Sequence, residues 1–197
     1  MTGVRIRQGL PTDADAVAAV CRATAAGGSP QPSDVVDPTL VELVYARPYL
    51  ALEPSSARVM LDTDRVVGYV VGARDSAAFY RRWQAEWAPA HLPRRPGADP
   101  ELEQLLRDPM SALPADVEPY PSHLHINLLP GARGGGHGLA LLQSFCDGLH
   151  AAGSTGVHLR VDAANAGAVR FYRRAGFTLH SDGPTPTMVR RLNRTRG

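Results

Sequence analysis

Hydrophobic positions along the chain change their spacing from segment to segment, and each change predicts an element. Val4-Arg5-Ile6-Arg7 alternates as a short strand. Pro11-Thr12-Asp13 supplies an N-cap for a helix running to about Ala26, with Val17, Val20 and Cys21 as its apolar stripe, and Gly27-Gly28-Ser29-Pro30 ends it. After Asp37-Pro38, Leu40, Leu43 and Val44 recur at helical spacing until Pro48 stops the run. Two β-rich runs, Arg58-Val59-Met60-Leu61 and Val66-Val67-Gly68-Tyr69-Val70-Val71-Gly72, flank the polar Asp62-Thr63-Asp64-Arg65 and predict an antiparallel hairpin.

Between about 75 and 121 the pattern differs. Ala77 to Ala88 is aromatic-rich and helical, Pro89, Pro93 and Pro96 mark a loop, and Pro100 to Arg107 predicts another short helix. Two roles fit this insert: substrate selection near the strand ends, or cover over a sheet edge. A strand from His123 to Leu129 then leads into a glycine-rich loop. Leu139, Leu141, Leu142, Phe145, Cys146 and Leu149 form the buried side of a helix to about Ala152. Val157 to Val161 reads as a strand, and a helix from near Asn165 to Ala175 is ended by Gly176. Phe177 to His180 and Thr187 to Leu192 predict two closing strands. The order β-α-α-β-β-(insert)-β-α-β-α-β-β predicts an α/β (α+β) fold with a mixed sheet, a single domain over 1–197.

Composition narrows the partners. With 197 residues, 44% of them hydrophobic, the chain can bury a sizeable core, and its net charge of +2 gives no pull toward nucleic acid or membrane. The start lacks the apolar core of a secretory signal, and no window approaches a membrane span, so a cytoplasmic protein is expected. The two cysteines, Cys21 and Cys146, have no His or Cys at metal spacing, so both are expected in the core and no metal is expected. The last basic stretch, with a tail over about 193–197, reads as solvated.

The chemistry centres on Pro130-Gly131-Ala132-Arg133-Gly134-Gly135-Gly136-His137-Gly138, which holds five glycines in nine residues. A strand, a glycine turn and a helix start aim free N–H groups and the helix dipole at an anion, which implies a phosphorylated ligand. All 21 basic residues are Arg, so the lysine of a Walker loop is missing. A dinucleotide fingerprint also fits poorly, because the loop lies two-thirds along the chain and no acidic residue ends the following strand until Asp162.

Ile126-x-Leu128-x-Pro130-x-x-Arg133-Gly134-Gly135-Gly136-His137-Gly138-x-x-Leu141-Leu142 resembles the acyl-CoA signature of the GNAT superfamily of N-acyltransferases. Leu159-x-Val161-x-x-x-Asn165-x-x-Ala168-x-x-Phe171-Tyr172-x-x-x-Gly176-Phe177 is similar to the segment that carries the family's CoA-contacting Asn and its Tyr near the thioester sulfur. More narrowly, the segment from Asp75 to Trp83 and Pro121-Ser122-His123-Leu124-His125-Ile126 resemble bacterial proteins similar to the acetyltransferase-like domain of O-GlcNAcase. That branch often carries Asp where this chain has Asn127.

The resemblance implies a mostly antiparallel sheet with a splayed central strand pair, acetyl-CoA as co-substrate, and a primary amine as acceptor to a protein that is monomer or homodimer. It implies that the amides of Arg133, Gly134, Gly135, Gly136, His137 and Gly138 hold the pyrophosphate. Main-chain groups of Leu128 and Leu129 would pair with the pantetheine arm, with the amide near Leu128 as oxyanion donor, and Asn165 would contact CoA. Tyr172 is the expected general acid, since a phenol keeps its proton at neutral pH. His123, His125 and Asn127 alternate onto one face of their strand, looking into the cleft if Leu124, Ile126 and Leu128 face the core. His125 is the better placed base of the two histidines; Glu118, Asp75 and bulk water stay open as alternatives. Asn127 is expected at the catalytic position, and its lack of a basic group leaves open a silent CoA-binding module.

Overall fold

The computed structural model describes residues 3–25, 38–92 and 99–192. Its strands are β1 (Val4–Gln8), β2 (Arg58–Asp62), β3 (Arg65–Ala73), β4 (Ser122–Leu128), β5 (Gly156–Arg160), β6 (Thr178–Ser181) and β7 (Thr187–Arg191). They form one seven-stranded sheet in the order β1-β2-β3-β4-β5-β7-β6. Every neighbouring pair is antiparallel except β4 and β5, which run parallel. That parallel pair meets only at Ser122↔Val157 and His123↔His158. Pairing with β3 continues along β4 to Leu128, so the far half of β4 is ordered on one side and open on the other. The splayed pair expected from the resemblance is present.

Alternation along the strands feeds two separate cores, one on each face. Helices α7 (His137–Ala151) and α8 (Ala166–Arg174) cover one face, where Leu124, Leu141, Phe145 and Phe177 pack with Met60 and Val70. The other face carries α1 (Ala14–Thr24), α2 (Pro38–Tyr45), α3 (Arg47–Leu52), α4 (Ser76–Arg82), α5 (Ala88–His91) and α6 (Pro100–Arg107). Tyr49, Tyr69, Phe79 and Trp83 are the large side chains of that core.

Several local expectations change. Pro48 does not stop a helix: it lies in the first turn of α3, where its missing N–H costs nothing, and the chain breaks instead at Ala46 (φ −139°). Asp13 sits at the start of α1, but its carboxylate turns back to accept from Arg7 at 2.7 and 2.8 Å and from the Leu10 N–H at 2.8 Å. The aromatic helix runs on past Ala88, since α4 passes through a π-helical turn, Trp83–Trp87, into α5. Two indole N–H groups anchor that turn, Trp83 to the Leu106 carbonyl at 2.9 Å and Trp87 to the Leu43 carbonyl at 3.0 Å. The insert therefore covers a sheet face at β3 and β4 and not a sheet edge; the edges are β1 and β6. Cys21 and Cys146 are both buried, as expected. The expectations for Gly27 to Pro30, Asp37, Pro93, Pro96 and the tail over 193–197 lie outside the described residues.

Candidate active site

Opening the sheet between β4 and β5 exposes main-chain groups in the interior. Leu129 donates its N–H to the Val67 carbonyl at 2.9 Å, and antiparallel ladders alternate, so Asn127 also turns its main chain toward β3. The main-chain groups of Ile126 and Leu128 consequently face the gap. The Leu128 N–H therefore turns into the gap, whereas the Leu129 N–H is spent within the sheet. The Leu128 carbonyl accepts from Arg133 Nε at 3.0 Å, tying the loop to the strand end.

The glycine loop then turns through three consecutive left-handed residues, Gly134 (φ 85°), Gly135 (φ 58°) and Gly136 (φ 79°). A side chain there costs about 1–2 kcal/mol per residue in backbone strain alone. Those glycines bring the chain into the first turn of α7, whose N–H groups have no carbonyl one turn back within the helix. A cleft of about 580 Å³ opens there, lined by Arg133, Gly134, Gly136 and Gly138 from the loop side and by Asn165, Phe171, Tyr172 and Arg174 from the other. Gly135 and His137 do not line it; the His137 ring packs over Gly135. Asn165 is the N-cap of α8, its Oδ1 accepting from the Ala168 N–H at 3.0 Å, while it also faces the cleft. Two guanidiniums, first-turn amides and a left-handed glycine run suit a polyanionic ligand, and Arg174 is a contributor that sequence spacing did not single out.

A second cavity of about 420 Å³ lies beyond the gap, lined by Tyr45, His125, Arg160 and, from α6 and the residue before it, Asp99, Glu101 and Leu102. The two cavities share Thr24, Ile126, Asn127 and Tyr172, which makes these residues the junction. Burial pushes the Tyr172 phenol well above its usual range, so it holds its proton at neutral pH.

His123, His125 and Asn127 do share one face, and Leu124, Ile126 and Leu128 the other. Their face looks onto α1–α6. His123 is enclosed among Tyr49, Phe79 and Tyr80 and reaches neither cavity. His125 lines the second cavity and Asn127 lines both. Desolvation holds the His125 imidazole at about 4, with the neighbouring His158 a smaller contribution, so it is neutral at physiological pH. Asn127 Nδ2 donates to the Tyr69 hydroxyl at 2.9 Å, leaving its Oδ1 for the junction.

The alternative bases are placed elsewhere. Asp75 caps α4 by accepting from the Ala78 N–H at 2.8 Å, and Glu118 is exposed away from both cavities. Within the insert, Arg82 pairs with Glu86 at 2.9 Å on the surface. Asp99 and Glu101 do reach the cavity, which sequence spacing could not foresee across the fold. Among the described residues, no group of His, Cys, Asp and Glu could hold a metal ion, and no helix is long and apolar enough to cross a membrane.

The model of the acetyltransferase (GNAT) family matches residues 30–177. The crystal structure of SsHAT is similar at 36% identity and a TM-score of 0.89, with 98% of this chain and 100% of that one covered. The paiA N-acetyltransferase from Thermoplasma acidophilum, solved in complex with coenzyme A, superposes with a TM-score of 0.61 at 14% identity, covering 96% of this chain and 99% of that one. A polyamine N-acetyltransferase from Drosophila melanogaster gives 0.64 at 19% identity, covering 96% and 100%. The two more distant likenesses concern the fold.

Proposed function

The chain belongs to the acetyltransferase (GNAT) family, and on that premise we propose that it transfers an acetyl group from acetyl-CoA to a primary amine by direct attack in a ternary complex. The observation that carries this reading is the meeting of two cavities at Thr24, Ile126, Asn127 and Tyr172, where β4 parts from β5. One cavity has the chemistry for a pyrophosphate, the other has room for a small acceptor, and they join at unpaired strand amides.

In this reading the loop amides of Gly134, Gly136 and Gly138 and the Arg133 and Arg174 guanidiniums hold the phosphates of acetyl-CoA, the Arg133 and His137 N–H groups being taken by the Pro130 and Gly134 carbonyls. Ile126 and Leu128 align the extended pantetheine arm, and the Leu128 N–H stabilises charge that develops on the thioester oxygen. Asn165 closes the cleft at the start of α8. Asn127 Oδ1 accepts an N–H of the amine and directs its lone pair at the carbonyl carbon. As the C–N bond forms and the C–S bond breaks, His125 takes the proton released by nitrogen and Tyr172 donates its own to the departing thiolate. A neutral imidazole at about 4 is a weak base, but the attacking nitrogen becomes far more acidic as it bonds to the carbonyl carbon, which favours the transfer.

The narrower kinship with bacterial proteins similar to the acetyltransferase-like domain of O-GlcNAcase forms part of the proposal and rests on the insert and the Pro121 to Ile126 run. One observation favours a second reading, a silent CoA-binding module: Asn127 offers no basic group. Calorimetric titration with acetyl-CoA, followed by thiol release across a panel of amines, tests both. Turnover supports the enzyme; tight binding with no turnover supports the module, and no binding at millimolar acetyl-CoA removes both.

A further inference from the structure

Beneath His125 runs a chain of hydrogen bonds whose direction is dictated at one end. The Pro121 carbonyl can only accept, and Ser76 Oγ lies 2.7 Å from it, so the single hydroxyl hydrogen of Ser76 is committed there. His123 Nδ1, 2.8 Å from the same Oγ, must therefore donate to it. Burial keeps His123 neutral, which leaves its Nε2 as a lone pair. Tyr49 Oη lies 2.9 Å from that Nε2 and donates its only hydrogen to it. His125 Nε2 lies 2.9 Å from the same Tyr49 oxygen, which has only lone pairs left to offer, so Nε2 carries the proton of His125. No hydrogen bond to His125 Nδ1 is made by the described residues, and this side chain lines the second cavity.

We propose that Pro121, Ser76, His123 and Tyr49 form a tautomer lock that presents the Nδ1 lone pair of His125 to the acceptor cavity, making Nδ1 the atom that receives the amine's proton. The inference rests on the acetyltransferase reading and deepens it: Tyr49, His123 and Ser76 become positioning residues, and His125 the group that touches the acceptor. In the proton transfer, the N–H bond of the attacking nitrogen breaks and an Nδ1–H bond forms. The lock keeps its direction throughout, because imidazolium still donates through Nε2 to Tyr49. Solvent removes the added proton afterwards. The lock is made of residues from β4, α3 and α4 and of Pro121, just before β4, so part of the insert acts on the reaction while lying outside both cavities.

Nitrogen-15 NMR of the histidine-labelled full chain at neutral pH reads the tautomer directly, with His125 assigned by loss of its signals in His125→Gln. The expected spectrum has a protonated Nε2 and an unprotonated Nδ1; a protonated Nδ1 overturns the lock. Thiol release from acetyl-CoA with 2-phenylethylamine as the acceptor probe tests its use. Tyr49→Phe and Ser76→Ala are expected to give mixed tautomers and to lower kcat/KM for the amine by about tenfold or more, with KM for acetyl-CoA unchanged. An unchanged kcat/KM in both variants overturns the proposal. Failure of the wild type to bind acetyl-CoA defeats the acetyltransferase reading itself. Binding of acetyl-CoA without turnover across the whole amine panel, alongside the expected tautomer, leaves that module reading standing and removes the base role from His125.

Discussion

Asn127 donates through Nδ2 to the hydroxyl of Tyr69 at 2.9 Å, a bond that orients the amide with its oxygen toward the junction of the two cavities. An aspartate in its place has no hydrogen to donate, so Tyr69 would have to turn its own hydroxyl toward the carboxylate. Asn127→Asp is expected to cost about 1 kcal/mol in stability, read from denaturant unfolding. Its added negative charge is expected to lower KM for a cationic amine, read by thiol release at pH 7.

Tyr172 faces both cavities, and burial keeps its phenol protonated. Removing the hydroxyl in Tyr172→Phe is expected to lower kcat by about 10²-fold while acetyl-CoA binds as before. Calorimetry and steady-state kinetics on one preparation separate the two effects. Equal loss of binding and turnover would instead make Tyr172 part of the cleft wall.

Gly136 adopts φ 79° with open space where a Cβ would stand, so backbone strain alone opposes a side chain there. Gly136→Ala is expected to place about 1–2 kcal/mol of strain on the loop and weaken acetyl-CoA binding by a factor of about 5–30. Gly138 differs: a Cβ there would lie 3.2 Å from the Phe171 ring, so Gly138→Ala is expected to disturb the packing of α7 on α8 and lower the melting temperature as well.

Stability should depend on pH through the buried imidazoles. His123, His125 and His158 are all held below their ordinary value, principally by desolvation. The unfolded chain then binds more protons than the folded one once pH drops below about 6.5, and stability falls with pH from there. For His125 the loss runs down to about 4. Asp13, held below the ordinary carboxylate range by Arg7, adds a loss only at lower pH. Thermal melts should be flat between pH 6.5 and 8 and fall progressively between about 6.5 and 4. A flat profile across that lower window would mean that the three imidazoles are solvated.

Short-range patterns in the chain carried most of the architecture. The hairpin of β2 and β3, the strand-loop-helix from β4 to α7, and the Asn165 cap with Gly176 (φ 85°) ending α8 are each set by neighbours a few residues apart. The same holds for the glycine loop with its three left-handed residues. What stayed hidden depends on residues distant in sequence. Tyr49 meets His123 across 74 positions, and nothing in the spacing around Tyr49 marks it as more than an apolar helix residue. Pro48 is compatible with ending one helix or beginning the next, and only the break at Ala46 decides. The strand register likewise determines that Leu129 and not Leu128 gives its amide to the sheet.

The two-residue seam between β4 and β5 leaves an unpaired strand edge at Ile126 and Leu128 in the middle of the sheet. Open edges at a protein's rim invite strand exchange with another chain. Here the edge is recessed between α1 and α8, as Thr24 and Tyr172 stand over it from either side. Lying between strands of one sheet, it is not at the rim where a strand of another chain could pair. The hydrogen-bonding capacity left open there is thereby kept away from a surface that could template aggregation.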